Sequence, residues 1–146
     1  MEQGESQKKS SLRVARMNLS TQTEHWDAIQ EHVRAVFGKD NDTSLSALMA
    51  VRDGSLSVYG VWEGPVLRAT GTAKVVQESS GKKSLLLYSL HGDMGLEEWR
   101  DATDLFCECS RSLGCAYLRA ATEQESVVHL ADALGFTKSY TLYKEV

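Results

Sequence analysis

Apolar residues recur along much of the chain at spacings of three and four, which is the period of an amphipathic helix. Glycines and polar caps mark where these runs start and stop. The pattern predicts helices from Ser20 or Thr21 to Gly38, from Thr43 or Ser44 to Gly54, from Gly95 to Gly114 and from Thr122 to Gly135.

Other segments alternate between apolar and polar residues or form short apolar runs, as strands do. The predicted strands are Leu12–Met17, Ser55–Glu63, Val66–Val76, Leu85–Leu90, Cys115–Ala121 and Ser139–Val146. Tight turns at Gly64-Pro65 and Glu78–Gly81 join three of these strands into an antiparallel meander. Three consecutive strands followed by alternating helices and strands predict an α+β fold with a mixed sheet.

Length and composition suggest how the chain is organised. With 146 residues, of which 42% are hydrophobic, the chain has the size and apolar content of one domain. Residues 1–11 are polar and too poor in apolar side chains to join a core, so we expect a flexible tail and a single domain over residues 12–146.

Charge and cysteine content exclude several classes of function. A formal net charge of −4 argues against nucleic acid as a partner, and the sequence lacks the long apolar run of a membrane span. Three cysteines close together favour reduced thiols and a cytoplasmic location. We expect no metal site, because Cys107 and Cys109 point to different helix faces and His25 and His32 lack further ligands.

The sequence also lacks a nucleophile elbow, a phosphate-binding P-loop and a dinucleotide fingerprint. These absences remove the corresponding hydrolase, nucleotide-hydrolysing and dehydrogenase classes from consideration.

The order of elements, together with the segment Ala133-Leu134-Gly135-Phe136 between a helix and a predicted last strand, resembles the GNAT superfamily of N-acetyltransferases. The resemblance covers Leu12–Val146 and implies a mostly antiparallel mixed sheet of six to seven strands flanked by about four helices. In that family acetyl-CoA lies where the fourth strand parts from the fifth. Its pyrophosphate lies on the N-terminus of the following helix, where free backbone N–H groups favour anions.

The phosphate loop departs from the family pattern, which is Arg or Gln, two residues, Gly, one residue, and Gly or Ala. Here Gly92 and Gly95 have a different spacing, and no Arg or Gln precedes them. Asp93, Glu97 and Glu98 also place negative charge where a pyrophosphate would bind, although acidic residues in a first turn ordinarily stabilise the helix.

The helix before the Leu-Gly-Phe segment also departs from the family pattern. Many active members carry an Asn at its start and, four residues before the Gly, a Tyr that protonates the CoA thiolate. The matching positions here are Gln124 and Ala131. Tyr140 and Tyr143 are alternative proton donors, but tyrosine on a strand more often packs against its neighbours.

The resemblance implies a site if acetyl-CoA is used. His91 and Asp93 follow the fourth strand, where a base for the attacking amine is needed. The positions that would contact the cofactor are Leu90, Met94, Gly95, Leu96 and Gln124.

Two hypotheses follow. The favoured one is a non-catalytic binding or structural component without a cofactor, similar to small phage-encoded virion or assembly proteins of this fold and located in the cytoplasm or the virion. Its partner, another protein or a second copy, would use the acidic loop Asp93–Glu98, the N-terminal tail or the edge of the last strand. The alternative is a divergent N-acetyltransferase that uses acetyl-CoA to modify a small amine or a protein N-terminus.

Overall fold

The structure is a computed structural model that describes residues 11–17, 26–37, 41–122 and 125–146. These residues form five strands and four helices. The strands are β1 (Leu12–Arg16), β2 (Ser57–Glu63), β3 (Val66–Gln77), β4 (Lys83–Gly92) and β5 (Tyr117–Ala120). The helices are α1 (Trp26–Phe37), α2 (Asn41–Arg52), α3 (Leu96–Ser112) and α4 (Glu125–Ala133).

The strands form one sheet in the order β1-β2-β3-β4-β5. The first four strands pair antiparallel, and β4 pairs with β5 in parallel after a crossover through α3. Gly64, with φ of +55°, makes the tight turn between β2 and β3, a conformation that glycine adopts without a steric penalty. The predicted α+β class and the predicted meander of β2, β3 and β4 are both confirmed.

Two hydrophobic clusters hold the helices against the sheet. Phe106 of α3 is buried among Tyr59, Val61 and Leu85 of the strands. Ile29 and Val33 of α1 belong to a second cluster. That cluster continues through Ala47 and Val51 of α2 to Leu56 and Val58. The apolar stripes that predict these helices are therefore the faces that pack.

Two predicted boundaries are wrong. Helix α2 begins at Asn41, so Thr43 and Ser44 lie inside the helix and do not cap it. Every residue from 39 to 44 is polar, and an apolar pattern cannot place a helix start within such a run. Strand β4 extends to Gly92, beyond the predicted end at Leu90, because antiparallel pairing with β3 continues through His91 and Gly92.

The last predicted strand is also wrong. Residues 139–146 form no strand, so the described sheet has five strands where six to seven were expected. The alternating pattern is present, but Tyr140 and Leu142 are 84% and 90% exposed. A strand needs a paired neighbour as well as a suitable pattern.

Some predictions fall outside the described residues: residues 1–10 of the tail, the caps Ser20 and Thr21, and His25. Within the described ranges, no helix is long and apolar enough to cross a membrane, and no cluster of ligands suits a metal ion. The three cysteines are free; Cys115 is buried, and burial raises the pKa of the Cys107 and Cys109 thiols.

Candidate functional site

Strands β4 and β5 run together for only part of their length. They pair from Ser84 with Tyr117 to Leu87 with Ala120, where β5 ends. Strand β4 continues for five more residues, 88–92, of which residues 89–92 pair with β3 and Tyr88 lies where the register with β3 shifts. One edge of β4 is therefore left without a strand beside it over this stretch, in the part of the chain that the structure describes.

This opening lies next to the start of α3, because only residues 93–95 separate β4 from the helix. Gly95 is the N-cap residue, with φ of −76° and ψ of 170°. Glycine has no side chain with which to cap the first amides of the helix. The carboxylate of Glu98 bends back and accepts a hydrogen bond from the Gly95 N–H at 3.1 Å, which leaves the amides of the first turn available to an anion.

Two of the acidic residues at this helix start pair with arginines of the same chain. The Nη1 atom of Arg68 lies 2.8 Å from carboxylate oxygens of both Glu98 and Glu63. Arg100 pairs with Glu97 within α3. The Gly95 N–H and then Arg68 hold the pKa of Glu98 below its usual range. Two of the three negative charges expected to repel a pyrophosphate therefore have partners.

His91 lies on β4 opposite Thr70 and faces the side of the sheet that α1 covers. Its side chain is exposed, and its ring lies 5.9 Å from the ring of His32 of α1 in an edge-on arrangement. Asp93 is also exposed. Within residues 41–122, no hydrogen bond or ion pair joins His91 to Asp93, so the carboxylate does not orient the imidazole in this structure.

His32 is the centre of a buried polar network beneath His91. Its side chain is 1% exposed, with Nε2 3.0 Å from Ser89 Oγ and Nδ1 against the Thr70 hydroxyl. Thr72 extends the chain of hydroxyls through Ser89. Burial, followed by the nearby charge of His91, lowers the pKa of His32 to about 4. The imidazole is neutral at pH 7.

Sequence reasoning missed this network, since it treats His32 only as a weak metal ligand. A signal was present in the strands. Thr70 and Thr72 occupy alternate positions of β3, and Ser89 and His91 occupy alternate positions of β4, so four polar side chains face one helix.

Comparison with known proteins identifies the fold of this chain through solved structures alone. No protein-family model and no curated protein matches the sequence. Solved structures do match: ribosomal-protein-alanine N-acetyltransferase from Brucella melitensis biovar Abortus 2308 has 11% identity and a TM-score of 0.67 over 92% of this chain and 99% of that one. Aminoglycoside N-acetyltransferase AAC(6')-Iy in complex with CoA has 12% identity and a TM-score of 0.65 over 92% and 93%. The chain has the GNAT fold.

A third structure of this fold, glucosamine-6-phosphate N-acetyltransferase from Arabidopsis thaliana, has 12% identity and a TM-score of 0.58 over 92% of this chain and 97% of that one. At such identities the similarity establishes the fold alone. The order of elements, together with the Leu-Gly-Phe segment, is therefore a sound indicator of the GNAT fold in this chain.

Three of the remaining predicted site residues lie on β4, at the start of α3 and between the two. Leu90 is 38% exposed on the α3 side of β4, and Leu96 is 44% exposed at the start of α3. Met94 is half-buried against the cluster of Phe106. Gln124 lies outside the described residues.

The position of the family tyrosine offers no proton donor here. Ala131, which stands there, is half-buried on α4 and has no titratable group. The two tyrosines considered as substitutes, Tyr140 and Tyr143, are 84% and 82% exposed.

Proposed function

We propose that this protein is an acetyl-CoA-dependent N-acetyltransferase that modifies a small amine or a protein N-terminus. The observation that carries the proposal is that β5 ends at Ala120 while β4 continues to Gly92, which leaves an edge of β4 free beside the first amides of α3, where Gly95 offers no side-chain cap. The structures of similar fold support it, since they are N-acetyltransferases of aminoglycosides, of glucosamine-6-phosphate and of a ribosomal-protein alanine. Each of these enzymes transfers an acetyl group to nitrogen.

The residues around the opening fit acetyl-CoA. The backbone amides of Met94 and Leu96 would bind the pyrophosphate at the helix start, since the Gly95 N–H already donates to Glu98. The free edge of β4 over residues 88–92 offers backbone N–H and C=O groups to the amides of the pantetheine arm. Leu90 adds an exposed apolar side chain on this stretch of β4.

The chemistry required of this chain is the removal of a proton from the attacking amine. Acetyl-CoA, when bound, supplies the acetyl group as a thioester. His91 is the exposed imidazole at this end of β4 and would accept the proton.

The non-catalytic hypothesis rests on the departures at Gln124 and Ala131 and on the acidic loop. The acidic loop is a weaker argument for the non-catalytic hypothesis in the structure than in the sequence, because Arg68 pairs with Glu98 and Arg100 pairs with Glu97. The structures of similar fold also favour an acetyltransferase over a structural component. A virion or assembly role stays a prediction.

Turnover tests the proposal. Purified protein is mixed with acetyl-CoA and a panel of amines (aminoglycosides, amino sugars and short peptides), and release of the CoA thiol is followed with a thiol reagent. We expect acceptor-dependent release that falls 10²- to 10⁴-fold in the His91→Gln variant. His129→Gln, on the exposed surface of α4, is the matched control and keeps full activity. Release that does not depend on His91 would show that another group is the base.

A further inference from the structure

The acidic loop Asp93–Glu98 is held by a side chain that comes from another strand. Residues 92–98 contain no arginine or lysine, so a cation that pairs with their carboxylates has to come from elsewhere in the chain. Arg68 of β3 lies with Nη1 2.8 Å from a carboxylate oxygen of Glu98. Its Nη2 atom donates to the backbone carbonyl of Asp93 at 3.4 Å. One guanidinium therefore bonds both ends of the acidic loop.

Glu98 connects this guanidinium to the backbone at the start of the helix. Its Oε2 atom faces Arg68, while its Oε1 atom accepts a hydrogen bond from the Gly95 N–H at 3.1 Å. Arg68, Glu98 and Gly95 thus form one continuous chain of hydrogen bonds. Because both of its oxygens are bonded, the carboxylate has one preferred position.

The position of Arg68 in β3 accounts for its reach. Its two neighbours, Leu67 and Ala69, pair with consecutive residues of β2, 62 and 61, so Arg68 is the extra residue of a β-bulge. A bulge changes the direction in which a side chain projects, and bulges occur often beside functional sites. The bulge therefore allows a side chain of β3 to meet the loop that follows β4.

Glu63 is the third partner of Arg68. One of its carboxylate oxygens lies 2.8 Å from Nη1, the same nitrogen that faces Glu98. A single ion pair at a surface contributes little to stability. A guanidinium that bonds two carboxylates and a carbonyl is different, because its planar group is fixed in one orientation.

The loop also begins in close contact with the same part of β3. A Cβ atom added at Gly92 would lie 2.7 Å from the carbonyl oxygen of Arg68 and 2.5 Å from the Cβ of Ala69. The backbone at Gly92 therefore has no room to move towards β3. Contact at Gly92 fixes where the loop begins, and the bonds of Arg68 fix its course into α3.

We propose that Arg68 is a positioning residue that holds the acidic loop in one conformation in the free protein and so keeps the amides of Met94 and Leu96 in place for an anion. Affinity for the cofactor then depends on the shape of the guanidinium and not on its charge, which Glu63 and Glu98 offset. A preformed loop loses less conformational entropy when a ligand binds. The part of the proposal that concerns the cofactor rests on the proposed function, whereas the part that concerns the free loop does not.

Backbone order parameters from nitrogen relaxation, measured on the full chain without ligand, test the part that concerns the free loop. For residues 94–96 we expect about 0.85 in the wild type and below about 0.6 in both Arg68→Lys and Arg68→Gln. Lysine keeps the charge but lacks the two nitrogens that here bond Glu98 and the Asp93 carbonyl at once. Arg111→Gln, on the exposed last turn of α3, is the matched control and leaves the loop rigid. Unchanged order parameters in β2 and β3 show that each variant is folded.

Calorimetric titration with CoA and steady-state kinetics test the part that concerns the cofactor. Both Arg68→Lys and Arg68→Gln are expected to bind CoA about tenfold more weakly than the wild type. At saturating acetyl-CoA, kcat is expected to stay within about twofold of the wild-type value, because Arg68 acts on the cofactor loop and not on the reacting atoms. A general loss of structure would lower kcat as well.

The possible outcomes separate this proposal from the proposed function. A loop that stays rigid in Arg68→Lys overturns the proposal. Wild-type affinity for CoA in Arg68→Lys, together with weak binding in Arg68→Gln, would show that charge decides the affinity, which also overturns it. A wild type that binds no CoA, with a loop that becomes mobile in both variants, would refute the proposed function and confirm that Arg68 holds the free loop.

Discussion

Acidification from pH 7 to pH 4 is expected to destabilise the protein through His32. The imidazole is 1% exposed and its pKa is about 4 in the folded protein, compared with an ordinary value of 6.5. As the pH falls, the unfolded chain therefore takes up a proton at this position before the folded chain does. The contribution to stability is complete above pH 6.5 and is lost as the pH falls towards 4.

The magnitude follows from the shift in pKa. A difference near 2.5 units between 6.5 and 4, at about 1.36 kcal/mol per unit, gives a loss of about 3 kcal/mol in the free energy of unfolding. The carboxylates with lowered pKa values, such as Glu78 and Glu98, act in a lower window, because their ordinary value is 4.5. Changes in the free energy of unfolding between pH 6.5 and pH 5 therefore arise mainly from histidine.

Urea unfolding followed by tryptophan fluorescence between pH 7.5 and pH 4.5 measures the effect. In His32→Gln the amide can still bond to Thr70 and Ser89 but does not titrate, so we expect a protein about 1–3 kcal/mol less stable at pH 7. The difference in the free energy of unfolding between the wild type and His32→Gln should narrow as the pH falls. His129→Gln should keep the wild-type pH dependence. An unchanged pH dependence in His32→Gln would refute the assignment to His32.

Three further predictions concern the site. Gly92→Ala should lower the free energy of unfolding by about 1–3 kcal/mol in urea titrations, since the added Cβ would lie 2.5 Å from the Cβ of Ala69. Gly95→Ala should cost less than about 1 kcal/mol, because the nearest atom to its added Cβ is 3.9 Å away. Equal losses of stability in the two variants would contradict the predicted clash at Gly92. Glu98→Gln should tighten CoA binding about fivefold by calorimetry, because a charge about 4 Å away is worth about 1 kcal/mol in water; unchanged affinity would place the pyrophosphate elsewhere. His91→Gln should lower kcat while leaving the CoA dissociation constant unchanged, and a parallel loss of binding would indicate a structural role.

Much of the fold could be predicted because the packed faces of the helices are encoded locally. The stripe through Ile29 and Val33 and the one through Phe106 become the centres of the two clusters. Gly114 and Gly135 adopt φ of +77° and +87°, as expected of residues that end helices. Such patterns depend on neighbours within one or two turns.

Features that depend on distant partners could not be predicted. Alternation in residues 139–146 indicates a strand, but pairing depends on an edge that the pattern does not describe. The charges at the start of α3 present the same difficulty. Arg68 lies thirty residues before Glu98 in sequence, yet their side chains meet at 2.8 Å, which changes the electrostatics expected from the loop.

The hydroxyl network around His32 likewise joins one helix to two strands. Opposing polar positions on β3 and β4 hint at it, but which helix covers them is settled only by packing.

Isothermal titration with acetyl-CoA and CoA tests the central claim most directly, namely that the opening beside β4 and α3 binds the cofactor. Gly95→Asp is the decisive variant, because its N-cap carboxylate accepts from the amides of Glu97 or Glu98 and adds negative charge directly beside the proposed pyrophosphate site, while stabilising the helix by roughly 1 kcal/mol. The account predicts micromolar affinity for the wild type and at least tenfold weaker binding in a Gly95→Asp protein of equal or higher Tm. No heat up to about millimolar ligand, or binding unaffected by Gly95→Asp, would contradict it.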